Sequence, residues 1–68
     1  MLTYDLDEKG DDSLYVYLYK CIKRDIERGI IASGARLPSK RKLASNLNVG
    51  LITVEAAYQQ LSAEGYIE

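Results

Sequence analysis

A run of three cations, residues 40–42, follows Ser39 where the sequence pattern predicts the first turn of a helix. Ser is a favoured N-cap residue, and the free backbone N–H groups at a helix N-terminus attract anions. The adjacent Lys and Arg side chains add positive charge to the same surface. The chemistry that these residue types predict is the binding of a phosphate-rich polyanion.

The net charge of −1 would by itself disfavour a polyanionic partner, but the charge is unevenly distributed along the chain. Residues 1–12 sum to −4, residues 13–42 to +6 and residues 43–68 to −3. The near-neutral average therefore conceals a basic middle segment, which lies between an acidic N-terminal arm, residues 1–12, and a mildly acidic end. A basic segment of this kind favours a nucleic-acid partner.

Catalytic and metal-binding chemistry finds no support in the composition. The chain has no His and a single Cys, Cys21, which excludes a His-dependent triad, a His-ligated metal and a Cys-rich zinc site. Its five lysines stand in charged, solvated contexts unlike that of a nucleophilic lysine. We therefore predict no catalytic residue, no metal site and no enzyme. With one Cys, no apolar run of about 18 residues and no signal-peptide pattern, we expect a cytoplasmic protein without membrane contact.

Apolar residues at three- and four-residue spacing predict three amphipathic helices that position these side chains. The first begins near residue 12 and ends at Gly29, the second begins at Ser39, and the third covers about 50–65. Their apolar stripes are Leu14, Leu18, Cys21, Ile22 and Ile26 in the first, Leu43, Ala44 and Leu47 in the second, and Val54, Ala57, Tyr58 and Leu61 in the third. Cys21 is accordingly interpreted as a small core residue.

The segments outside the helices carry turn signals or lack a helical period. The arm, residues 1–12, is expected to be extended, and residues 30–38 form a connector with a short strand around Arg36 and Leu37. Asn48 follows the second helix, and Asn tolerates the left-handed conformation that a tight turn between helices requires.

A helix of about two turns, a tight turn and a longer helix have the spacing of a helix-turn-helix motif. In that motif the first helix of the pair crosses the phosphate backbone and the second enters the major groove of DNA. Thr53 has two interpretations that the sequence leaves open, a contact with DNA or a cap of its own helix. The candidate DNA contacts are Arg36, Ser39, Lys40, Arg41, Lys42, Gly50, Leu51, Ile52 and Thr53.

Two blocks resemble the N-terminal winged-helix domain of the GntR family of bacterial transcription regulators. Residues 37–44, Leu-Pro-Ser-Lys-Arg-Lys-Leu-Ala, are similar to the start of that family's second helix, and residues 53–67 are similar to its recognition helix and the entry to its wing. The resemblance implies a mainly α fold over residues 13–68, a three-helix winged helix-turn-helix whose wing hairpin is truncated at the C-terminus. It also implies a double-stranded DNA partner, with Arg41 at the position of the family's DNA-contacting Arg.

The Ala-Tyr pair at 57–58, the Glu-Gly-Tyr at 64–66 and the opening Met-Leu-Thr-Tyr resemble the MocR subfamily. In that subfamily this domain precedes a domain that resembles fold-type I aminotransferases and binds pyridoxal phosphate. The resemblance therefore implies a homodimeric regulator whose pyridoxal phosphate, where present, lies in a further C-terminal domain. No cofactor is expected within residues 1–68.

Two departures from the family pattern leave a second interpretation open. Gly50 and Leu51 replace the usual Ser-Arg or Thr-Arg, and Glu55 stands where many members carry Arg. Leu51 supplies neither a guanine contact nor a phosphate clamp, and Glu55 repels phosphate unless it accepts from a cytosine amino group. The alternative is a helix-turn-helix that offers Leu51 and Ile52 to a partner protein and binds DNA weakly or not at all.

Overall fold

The computed structural model describes residues 4–32 and 36–67, and these ranges contain three α-helices. The helices are α1, Leu14–Glu27; α2, Lys40–Leu47; and α3, Leu51–Ala63, preceded by a 3₁₀ helix at Leu6–Lys9. The predicted mainly α, three-helix fold is confirmed. The short strand expected around Arg36 and Leu37 is wrong, because no strand occurs within the described residues. The described residues include no wing hairpin, so that part of the prediction stays untested.

The core lies where α1 and α2 both pack against α3. From α1, Leu18 and Ile22 are completely buried, and α3 contributes Val54 and Leu61 to the same cluster. The predicted stripe of α3 is confirmed in full, since every one of its members is buried: Val54, Ala57, Tyr58 and Leu61. Cys21 is buried as predicted, and burial raises the pKa of its thiol.

The N-terminal arm differs from the extended segment that its composition predicts. Leu6–Lys9 forms a 3₁₀ helix that contacts α1, and the Asp5 side chain caps it by accepting from the Asp7 backbone N–H at 3.0 Å. Tyr4 packs against the core, and its hydroxyl donates to the Asp25 carboxylate at 2.7 Å. The arm is therefore held against α1 by the hydrogen bond from Tyr4 and by an ion pair between Asp12 and Lys20 of α1 at 3.1 Å.

The turn between α2 and α3 consists of residues 48–50. Asn48 adopts the left-handed conformation, φ 57° and ψ 47°, as predicted. The following Val49 N–H donates to the Ala44 carbonyl at 3.0 Å and thereby caps one of the last carbonyls of α2. This three-residue turn fixes where α3 leaves α2, which is the geometry of a helix-turn-helix.

The C-terminal end of α3 and the residues after it are joined to α1 by side-chain hydrogen bonds. Gly65, at φ 84°, allows the Tyr66 N–H to turn back and donate to the Leu61 carbonyl at 2.9 Å. The Glu64 carboxylate accepts from the Tyr19 hydroxyl of α1, and this hydrogen bond is the main reason that the pKa of Glu64 is lowered. Tyr66 and Ile67, which are strand-prone by type, lie in no strand of the described chain.

Candidate nucleic-acid interface

The N-terminus of α2 is built by Ser39, whose side chain accepts from the Lys42 backbone N–H at 3.1 Å. The predicted N-cap is thereby confirmed. The cations of the first turn, residues 40–42, are all exposed, and so is Arg36 in the connector. None of these four side chains takes part in an ion pair with another described residue. Their charges are therefore available to an external anion.

Among the described residues, one hydrogen bond joins this helix start to α3. The Tyr58 hydroxyl donates to the Pro38 carbonyl at 2.7 Å, immediately before Ser39. Tyr58 is only 8% exposed, and burial raises the pKa of its hydroxyl to about 12. Because a protonated hydroxyl is needed to donate this bond, the raised pKa extends the pH range of the connection from about 10 toward about 12.

The start of α3 presents apolar side chains to solvent. Gly50 is the N-cap residue, with extended backbone angles of φ −68° and ψ 150°. Leu51 is 36% exposed and Ile52 is 79% exposed, so Ile52 contributes little to the core. Thr53 is partly buried, and its hydroxyl makes no hydrogen bond to another described residue, so it does not cap its own helix there.

A groove runs along the outer face of α3 and reaches α2 at Lys40. Ile52, Glu55 and Gln59 line it at three- and four-residue spacing along α3. Of the predicted candidates, the structure thus brings Lys40 and Ile52 to one concave surface. Gln59 was missed by the sequence-based interpretation, although its spacing from Ile52 and Glu55 is a signal that identifies it.

The other predicted contacts do not line this groove. Arg41, Lys42 and Leu51 are exposed on the same two helices. Arg36 is exposed in the connector that precedes α2. Direct contact with DNA stays a prediction for every candidate residue.

The described residues contain neither a cluster of metal-ligand side chains nor a buried lysine. No group of three or more His, Cys, Asp or Glu side chains in residues 4–32 and 36–67 could hold a metal ion. None of the five lysines is buried, so none occupies the desolvated pocket in which a lysine amine becomes a nucleophile.

No helix in the described ranges is both long and apolar enough to cross a membrane.

The fold and the basic helix start together define a helix-turn-helix domain of the DNA-binding class. Residues 14–68 match the family model described as bacterial regulatory proteins, gntR family. Because the match covers most of the chain, this protein belongs to the GntR family, whose helix-turn-helix regulators bind DNA. The predicted family is confirmed, and no observation favours the alternative of a protein-interaction module.

Three curated relatives support this assignment. The chain is 48% identical over 67 residues to an uncharacterised HTH-type transcriptional regulator, YhdI, of Bacillus subtilis, covering 98% of this chain and 14% of that protein. It is 42% identical to the pyridoxine biosynthesis regulator PdxR of Corynebacterium glutamicum, covering 97% and 15%, and 36% identical to the probable rhizopine catabolism regulatory protein MocR of Rhizobium meliloti, covering 93% and 13%. The last two relatives agree with the predicted resemblance to the MocR type. The chain spans about one seventh of the length of these relatives.

Proposed function

We propose that this domain binds double-stranded DNA through two helices, α2 and α3, which contact different parts of the duplex. The basic start of α2 anchors the phosphate backbone, and the start of α3 enters the major groove. The observation that carries the proposal is the set of exposed cations that form no ion pair with a described residue, together with a helix whose first two residues are also exposed. The proposed contacts are Arg36, Ser39, Lys40, Arg41, Lys42, Gly50, Leu51, Ile52 and Thr53.

The start of α2 and the start of α3 each carry side chains that match the part of DNA they are proposed to contact. The Lys and Arg heads at 40–42 extend the positive end of α2, where backbone N–H groups also attract phosphate. At the start of α3, Gly50 adds no side-chain bulk, and Ile52 offers an apolar group of the kind that contacts a thymine methyl. The surface therefore combines a charge-dependent anchor with a contact that depends on base identity.

For the whole protein we propose a cytoplasmic bacterial transcription regulator that binds DNA as a homodimer. Two copies of this domain would occupy half-sites about one helical turn of DNA apart, or a multiple of that distance. The resemblance to the MocR type supports a further domain with pyridoxal phosphate chemistry, which these 68 residues do not supply.

The salt dependence of DNA binding tests the proposed anchor. Each phosphate contact contributes a slope of about −0.9 to a plot of log K against log [salt], so four contacts predict about −3.6. That slope corresponds to a loss of about 150-fold in affinity between 50 and 200 mM salt. Fluorescence anisotropy of the chain with a labelled duplex measures it. A slope near zero, or no binding at low salt, rejects the proposal.

A matched pair of variants tests the assignment of the anchor to α2. Arg41→Gln should reduce the magnitude of the slope by about 0.9, because one phosphate contact is lost. Arg28→Gln removes the same charge from an exposed residue after α1 that is not among the proposed contacts, and it should leave the slope nearly unchanged. Equal effects of the two variants would mean that the domain responds to net charge alone.

A further inference from the structure

The charge of α3 is unusual for a helix that binds DNA. Glu55 is its only charged residue, and α3 carries no Lys or Arg between Leu51 and Ala63. The carboxylate is exposed and makes neither an ion pair nor a hydrogen bond with another described residue. No cation lies three or four residues away along the helix, so Glu55 forms no ion pair within α3.

The position of Glu55 places it on the surface that faces outward. It lines the groove together with Ile52, three residues before it, and Gln59, four residues after it. The buried stripe of α3, which includes Val54 and Leu61, lies on another side of the helix and meets this groove at Tyr58. A carboxylate at this position is brought close to DNA whenever α3 lies in the major groove.

A carboxylate in the major groove is selective by its chemistry. It only accepts hydrogen bonds, so it is repelled by phosphate and by the acceptor atoms of guanine and thymine. Two amino groups donate in this groove, cytosine N4 and adenine N6, and adenine N6 lies beside the N7 acceptor, which repels a carboxylate, so cytosine is the preferred partner. The exposed Ile52 side chain is apolar, and the apolar group that it can contact in the major groove is the methyl group of thymine.

We propose that Glu55 and Ile52 determine base specificity, with Glu55 selecting cytosine and Ile52 selecting thymine. Side chains three residues apart on a helix are about 5–6 Å apart, and successive bases rise by about 3.4 Å. The two selected bases therefore lie within about two base steps of each other in the half-site. This proposal rests on the proposed binding of α3 in the major groove.

Selection from a duplex library with a randomised window tests the assignment of Glu55. The chain should enrich sites with a cytosine within two base steps of a thymine. Glu55→Gln should lose the preference for that cytosine by about 5- to 30-fold, because the amide no longer offers an acceptor-only group. The matched control is Glu8→Gln, which removes the same charge from an exposed residue of the 3₁₀ helix and should keep the preference.

A double-mutant cycle with the selected duplex tests Ile52 independently. Replacing the selected thymine by uracil removes only the methyl group and should weaken binding by about 4-fold. The uracil substitution should have almost no further effect on Ile52→Ala, because the contact is then already absent. Ile52 and Glu55 are both exposed, so thermal unfolding of the variants should match that of the unsubstituted chain.

Failure of this proposal can be distinguished from failure of the proposed function. If the chain selects no sequence and its binding does not depend on salt, both are wrong. If it selects a site with a steep salt slope and Glu55→Gln selects the same site, only the assignment of Glu55 is overturned. A uniform gain in affinity of Glu55→Gln for all duplexes also overturns it, because Glu55 then only repels phosphate.

Discussion

Tyr58→Phe removes one oxygen atom and, with it, the hydrogen bond between α3 and the residue that precedes α2. The phenol ring is buried in the core, so the substitution leaves the packing of the ring in place. What changes is the Pro38 carbonyl, which loses the donor that now lies 2.7 Å away. The experiment therefore measures the contribution of the hydroxyl to holding the two helices of the motif together.

The expected loss of stability is about 1 kcal/mol. An acceptor left without its partner in a buried position costs about 1–3 kcal/mol. Pro38 is only partly buried, so water can satisfy some of its requirement and the lower end of the range applies. For a chain of this length, about 1 kcal/mol corresponds to a fall in Tm of about 4–8 °C.

The same hydroxyl gives the stability a dependence on high pH. Burial raises the pKa of Tyr58 from its ordinary value of 10.0 to about 12, so the folded state retains the proton more tightly than the unfolded state does. The contribution is therefore fully present below about pH 10 and is lost as the pH rises toward about 12. Tyr58→Phe should remove this part of the alkaline destabilisation. The pKa of Tyr4 is also raised, chiefly by burial, so some alkaline destabilisation should persist.

Urea unfolding followed by circular dichroism at pH 7.5 and near pH 11 measures both effects. The control is Tyr15→Phe, the same substitution at a residue that is 41% exposed and donates no hydrogen bond to another described residue. Its stability should change by less than about 0.5 kcal/mol. If the two variants have the same stability at both pH values, the Tyr58 hydroxyl does not hold the motif together.

Three further predictions concern the parts that position the interface. Ser39→Ala should lower the free energy of unfolding, measured by denaturant titration, by about 1 kcal/mol, because the N-cap of α2 is lost. Ser39→Asp should keep the cap but weaken DNA binding, because it adds a negative charge beside the phosphate anchor. Asn48 has a positive φ, so Asn48→Gly should change the free energy of unfolding by less than about 0.5 kcal/mol, whereas Asn48→Val should lower it by at least about 1 kcal/mol. Equal Tm values for the two variants would contradict this. Leu61→Ala should cost about 2–5 kcal/mol, while Ile52→Ala should cost under about 0.5 kcal/mol; a similar loss for both would mean that exposure does not decide the cost.

The helices and their buried faces could be predicted because each depends on local order in the sequence. One face of α3 must be apolar to pack, and its spacing alone identified all the buried residues between Val54 and Leu61. The left-handed turn at Asn48 followed from residue type in the same way. The N-cap at Ser39 also needed only its neighbours, since it bonds a backbone N–H three residues away.

Contacts between distant parts of the chain could not be predicted by these rules. Asp25 follows Cys21 by four residues and so lies on the apolar stripe of α1, yet its burial depends on Tyr4, which is 21 residues earlier. The bond from Tyr58 to Pro38 also spans 20 residues and depends on how α3 crosses the start of α2. Periodicity shows which face of a helix is buried, but it does not show which side chain from another element reaches that face.

Positive charge on α2 and negative charge on α3 should make salt-dependent affinity and sequence preference depend on different helices. Phosphate contacts supply affinity that depends on salt, whereas base contacts supply the preference for sequence. The cations proposed to contact phosphate lie on α2 and in the connector before it, and Glu55 is the only charged residue of α3. Arg41→Gln should therefore lower the salt slope without changing the selected sequence, and Glu55→Gln should change the selected sequence without changing the slope. A variant of either helix that alters both quantities together would mean that the two functions are not divided between them.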